Sequence, residues 1–193
     1  MGKSYLEAQP FLDRLGQGMV LEIGSERGEG STRWLQDLAQ ARGRRFVTVD
    51  IDPARQLDFL VPGSSQVTAS GSEFVRDQLP WFGDAVALAY LDNFDWTWDP
   101  GNIPDWMHRQ IDWYRNSLNT VMDNTSSQTE HFLQAVGIER VAAADGCLMV
   151  FDDTWRTREG VYMGKGGMAA NWLLHRGFSV VSAQNNALCM HRG

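Results

Sequence analysis

The sequence predicts an α/β fold: a single domain over residues 1–193, built on an open, mostly parallel seven-stranded sheet that ends in an antiparallel hairpin. Three observations predict it. The stretch Met19-Val-Leu-Glu-Ile-Gly-Ser-Glu-Arg-Gly-Glu-Gly-Ser-Thr32 reads as a buried strand, a glycine-rich turn and a helix start. Apolar runs at 46–50, 65–69, 85–91 and 146–151 then alternate with segments of helical periodicity, the rhythm of parallel strands joined by crossover helices. Finally, 178–182 and 187–190 flank Asn185-Asn186, which reads as a hairpin turn.

Taken in order, Leu6, Phe11, Leu12 and Leu15 mark an accessory N-terminal helix within residues 1–18, with Pro10 breaking or kinking it. Val20, Leu21 and Ile23 form the first strand, and Trp34, Leu35 and Leu38 recur at helical spacing behind the glycine turn. The second strand ends in Asp50, the third runs into Ser70-Gly-Ser-Glu73, and the fourth, a continuous apolar run, is followed by Asp92. Residues 96–125 change in character. Trp96, Trp98, Trp106 and Trp113 crowd among Asn and Asp, and Ile103, Met107, Ile111, Tyr114 and Leu118 recur in steps of three and four. This predicts a Trp-rich helical insertion after the fourth strand, a natural substrate lid, with core filling or a homo-oligomer face as the alternative use of its tryptophans. Ser127-Gln-Thr-Glu130 matches a capping box opening the next helix. The fifth strand ends in Asp152-Asp153, residues 155–167 read as a loop with Arg156, Arg158 and Lys165, either solvated or closing over substrate, and Gly177 stops a helix over 168–175.

The formal charge of −7 and pI near 5.0 argue against nucleic acid as the default partner, since displacing counterions needs a basic surface. The sequence contains no apolar run of membrane-spanning length and no secretion-signal pattern at its start, and Cys147 and Cys189 fall in predicted interior strands as small hydrophobes. These features predict a cytoplasmic protein with a small-molecule substrate and no membrane partner.

Three classes of ligand use a strand, glycine turn and helix. A phosphate-binding loop needs a lysine between Gly30 and the hydroxyl residues, and none is there. A dinucleotide fingerprint is spaced G-x-G-x-x-G, whereas this turn is G-x-x-x-G-x-G and carries Glu26 and Glu29, which repel phosphate. A cationic ligand tolerates those acids. Glu22-Ile-Gly-Ser-Glu-Arg-Gly-Glu-Gly-Ser-Thr32 resembles the first motif of the class I S-adenosylmethionine-dependent methyltransferases, and the order of elements is similar to that Rossmann-like fold across nearly the whole chain. The resemblance implies that Glu22, Gly24, Ser25, Gly28 and Ser31 bind the cofactor and that Ser70 and Gly71 lie along its adenine, with a helix cap as the plainer use of Ser70. Asp50, at the end of the second strand, is placed to accept both ribose hydroxyls. Asp52, just before Pro53, reads as a helix cap.

Asp92 with Val150-Phe-Asp-Asp153 narrows the resemblance to metal-dependent O-methyltransferases of the macrocin and cephalosporin-hydroxylase-like type. That implies one Mg²⁺ held by Asp92, Asp152 and Asp153, lowering the pKa of an acceptor hydroxyl on a sugar or other small polar molecule. Asp92 also faces the transferring group. Where that family continues with Asp-Gly and a histidine, this chain has Asn93-Phe-Asp95, so the base is sought at His131 or His108. The alternatives are a catalytically inactive binding protein on the same fold and a metal-independent N-methyltransferase.

Overall fold

A computed structural model describes residues 3–25, 28 and 30–193. Glu26 and Glu29, the acids weighed against phosphate above, lie outside the described residues. The strands are β1 (Met19–Ile23), β2 (Phe46–Asp50), β3 (Ser64–Thr68), β4 (Val86–Leu91), β5 (Cys147–Phe151), β6 (Thr154–Arg156), β7 (Tyr162–Gly164), β8 (Ser179–Gln184) and β9 (Ala187–Arg192). The α-helices are α1 (Ser31–Ala41), the single turn α2 (Gly71–Glu73), α3 (Asp105–Leu118), α4 (Asn124–Arg140) and α5 (Gly167–Leu173). Among the described residues, seven strands form one sheet in the order β3-β2-β1-β4-β5-β9-β8, and β6 and β7 form a separate hairpin. β1 pairs in parallel with both β2 and β4, so the order reverses between β1 and β4 and opens a crevice at their carboxyl ends.

β4 and β5 read as unbroken apolar runs because both faces of the sheet are covered. Leu21, Ile23, Val49, Leu91 and Phe151 pack with Ile138 of α4 and Leu173 of α5. Val20, Phe46, Leu88 and Leu148 pack on the other face with Leu35 and Ala39 of α1. The period of two in β1 therefore puts Glu22 beneath α1, on the same face as Val20. Both cysteines are free and buried, in β5 and β9. The C-terminal hairpin turns on Asn185 and Asn186, both with positive φ, as an Asn-Asn turn between twisted strands requires.

Three boundaries differ from the sequence reading. The N-terminal segment Ser4–Arg14 is a 3-10 helix, since Pro10 inside it removes the N–H that an α-helical turn would use. α4 starts one turn earlier than Ser127: the Asp123 carboxylate accepts from Ser126 N at 2.7 Å, and Ser126 Oγ accepts from Asp123 N at 2.9 Å. Two capping patterns overlap here, and the one led by a carboxylate forms, leaving Ser127 buried inside the helix. The segment read as a loop holds the β6–β7 hairpin, whose three-residue strands are too short to leave a period in sequence.

Candidate active site

The crevice at the β1–β4 switch point is a cavity of about 420 Å³. Its rim is held by ladder bonds running past the strand ends: Gly24 N donates to Val49 O at 2.8 Å, Asp92 N to Ile23 O at 2.9 Å and Ala69 N to Asp50 O at 3.0 Å. Gly24 is required at this point. Its φ is +95°, and a Cβ there would stand 2.2 Å from the Asp92 carbonyl oxygen.

Of the residues singled out in sequence, Gly24, Ser25, Ser31, Asp50, Ser70, Gly71 and Asp92 all line this cavity, although they come from four separate segments. Asp50 Oδ1 also accepts from Asp52 N at 2.9 Å, which fixes the carboxylate at the rim. Asp52 accepts from Ala54 N at 2.9 Å and pairs with Arg55 at 2.9 Å, so it caps a turn; the helix expected to start at Pro53 is not formed, and the chain runs through turns from β2 to β3. Ser70 Oγ accepts from Glu73 N at 3.3 Å, the helix-cap use, and the residue also borders the cavity. α3 of the Trp-rich insertion forms a wall through Arg109, Gln110, Trp113 and Tyr114. Trp98 instead stacks on Trp155 of β6 at 4.9 Å, and Trp96 meets the same ring edge-on at 5.8 Å.

Other expected site residues lie away from the wall. Gly28 packs against Leu57 and Phe59, so it supports the turn from outside the cavity. Glu22 is fully buried beneath the turn, where Thr48 Oγ1 donates to its Oε2 at 2.7 Å. Burial pushes its carboxyl up to about 7, against the opposing pull of the Ser31, Thr48 and Thr32 hydroxyls. His131, expected as a base, is also fully buried. Its Nδ1 lies 2.8 Å from Ser127 O, and burial, with Lys165 nearby, holds it down at about 4. It packs near the Phe151 ring behind β5 and has no part in the cavity wall, so it is not placed to take a proton from a substrate. His108 is exposed on α3 and is likewise absent from the wall.

The expected metal ligands do converge, but around a lysine. Lys165 is 1% exposed, and its Nζ lies 2.7 Å from Asp92 Oδ1, 3.1 Å from Asp153 Oδ2 and 3.7 Å from Asp152 Oδ2. Burial disfavours the ammonium, and the three carboxylates more than reverse that, so it stays charged with its pKa above the ordinary value. Mg²⁺ needs oxygens at roughly 2.0–2.1 Å in an octahedron, and these are ammonium distances with the central position taken by nitrogen. Among the described residues, no group of three or more His, Cys, Asp or Glu is arranged to hold a metal ion. The residues present do not fit Mg²⁺, which corrects the expected ligand set of Asp92, Asp152 and Asp153. In sequence Lys165 reads as part of a solvated loop, because Asp92, the carboxylate it lies nearest, is 73 positions away. The available signal was its setting, Gly164-Lys-Gly-Gly167, and its rarity, since Lys3 is the only other lysine.

Asp92 is the member of this cluster that reaches the cavity. Its Oδ2 accepts from Tyr90 OH at 3.0 Å, and Tyr90 OH in turn lies 2.8 Å from Ser4 Oγ. Desolvation holds the Asp92 carboxyl above the ordinary range, opposed by Lys165 and reinforced by Asp152. Among the described residues, it joins Asp50, Asp52, Asp95 and Glu130 to give the wall five acids against Arg55 and Arg109, and Arg55 is already paired with Asp52.

No family model matches the sequence, and no curated protein matches it. Solved structures do match in fold. A protein assigned as an rRNA methylase from Clostridium thermocellum superposes with a TM-score of 0.56 at 9% identity, over 99% of this chain and 97% of that one. A protein assigned as a ribosomal RNA methyltransferase from Plasmodium falciparum gives 0.54 at 12% identity, over 98% and 94%. The MycE methyltransferase of the mycinamycin biosynthetic pathway, in complex with Mg and SAH, gives 0.56 at 13% identity, over 97% of this chain and 48% of that one. The architecture is the Rossmann-like methyltransferase fold. Among the described residues, no helix is long and apolar enough to cross a membrane.

Proposed function

We propose that this chain is an S-adenosylmethionine-dependent methyltransferase acting on a small acceptor without a metal ion. The observation that carries the reading is the convergence of Gly24, Ser31, Asp50, Ser70 and Asp92 on one acid-rich cavity at the strand-order switch. Its volume suits a nucleoside-sized ligand, and its excess of carboxylates favours a cationic sulfonium and amine over a pyrophosphate. When bound, S-adenosylmethionine supplies an electrophilic methyl group. Asp50 is placed to hold ribose hydroxyls, Ser70 and Gly71 to lie against the base, and α3 to cover the acceptor and exclude water.

Asp92 is the group best placed to take the acceptor's proton, since it faces the cavity while Lys165 and Tyr90 fix its two oxygens. Without a divalent ion to acidify it, an aliphatic sugar hydroxyl is a poor partner for a carboxylate base. A phenolic hydroxyl, with an ordinary pKa of about 10, is a better one. Phe94, Trp113 and Tyr114 offer that ring an aromatic wall, which supports O-methylation of a phenol-type acceptor. The acid excess favours one second reading, N-methylation of an amine held as its ammonium ion. RNA is not proposed as the acceptor, given the acidic wall and the net charge of −7.

Calorimetric titration of S-adenosylmethionine with and without chelator tests this reading. Saturable binding that survives chelator and weakens in Asp50→Ala is expected. No binding, or preference for a phosphate-bearing dinucleotide, overturns it.

A further inference from the structure

β4 and β5 run side by side and in parallel, with Leu91 opposite Phe151. Their carboxyl ends therefore place Asp92, Asp152 and Asp153 together, and so much negative charge in one place demands a cation. The chain itself supplies one. Lys165 N donates to Asp153 O at 3.0 Å and Gly166 N to Thr154 Oγ1 at 2.8 Å, docking the β7–α5 turn against the end of β5. Only glycine admits this approach: a Cβ on Gly164 would stand 2.0 Å from Asp153 O, and one on Gly166 would stand 2.6 Å from the Phe151 side chain. The backbone thus delivers an ammonium to the interior side of Asp92, while the other side of Asp92 faces the cavity.

We propose that Lys165 is a built-in substitute for a divalent cation: a tethered positioning residue that fixes Asp92 and makes the carboxylate cluster refuse metal. The proposal rests on the methyltransferase reading only for what Asp92 then does; the exclusion of metal stands on geometry alone. A divalent ion placed among these three carboxylates would lie within a few ångströms of a buried ammonium, and their repulsion forbids joint occupancy. Removing the ammonium leaves three acids on neighbouring strand ends without their cation, an oxygen-donor set of the kind Mn²⁺ and Mg²⁺ take.

The test is Mn²⁺ titration followed by electron paramagnetic resonance on the full-length wild type, on Lys165→Met and on the double variant Lys165→Met/Asp153→Asn. The wild type is expected to leave Mn²⁺ free. Lys165→Met is expected to bind it at least about 100-fold more tightly, as loss of a like charge at contact distance requires, and the double variant to lose that site. A merely structural lysine would create no metal site on removal. A folded Lys165→Met that binds Mn²⁺ no better than wild type overturns the proposal. So does saturable binding to wild type that Asp153→Asn abolishes, and this arm holds whether or not Lys165→Met folds. Cofactor calorimetry on the same wild-type protein keeps the two ideas apart: failure to bind S-adenosylmethionine sinks the methyltransferase reading and leaves the Mn²⁺ result standing.

Discussion

Glu22 should make this protein less stable as pH rises through the range where most proteins are indifferent. The carboxyl is fully buried under the glycine-rich turn with Thr48 Oγ1 on one oxygen, and burial lifts it from an ordinary 4.5 to about 7. Well below 4.5 it is protonated in both folded and unfolded chains and has no effect. Between 4.5 and 7 the unfolded chain releases the proton while the folded one keeps it, so stability falls with pH. Above 7 both forms are ionised and the full penalty stands, about 3 kcal/mol at about 1.4 kcal/mol per pH unit. That is a large part of a typical folding free energy of about 5–15 kcal/mol. Glu22→Gln keeps the shape and an acceptor for Thr48 but cannot ionise. Urea denaturation at fixed ionic strength should show the variant gaining under about 1 kcal/mol at pH 5 and about 3 kcal/mol at pH 8. The same gain at both pH values, or a loss at pH 8, would refute the argument, because only a proton difference between folded and unfolded Glu22 generates the slope.

Three further outcomes follow from named contacts. Asp50→Ala should weaken S-adenosylmethionine binding by roughly 10- to 100-fold in calorimetry, the worth of hydrogen bonds to a charged acceptor. Gly24→Ala should destabilise the fold by about 1–3 kcal/mol in urea titration, because an L-residue is strained at φ +95° and the new Cβ meets the Asp92 carbonyl. Lys165→Met should cost about 3–5 kcal/mol in metal-free buffer, since it leaves carboxylates partly buried without their cation, and adding Asp92→Asn should restore part of that loss.

The sheet and its crevice are legible in the residue pattern. A continuous apolar run such as 86–91 must be covered on both faces, and acids just past such runs must lie at the carboxyl edge, so Asp50 and Asp92 are placed at the cavity by local pattern, while Gly24 and Gly71 were expected there from the family resemblance. Boundaries set by competing local bonds were less legible, as at Asp123 and Ser127, where two caps a turn apart have nearly the same spacing. Long-range docking, and not local pattern, sets the sign of the charge inside the carboxylate cluster. Asp92 and Lys165 are separated by 73 positions and meet only because the hairpin of β6 and β7 brings the glycine-flanked turn after it back onto the end of β5. Neither periodicity nor spacing records such a contact, because the lysine looks solvated in sequence and only docking shows what it neutralises. His131 and Glu22 illustrate the same limit: their residue types suggest chemistry, but the face of the element they occupy buries them away from the cavity.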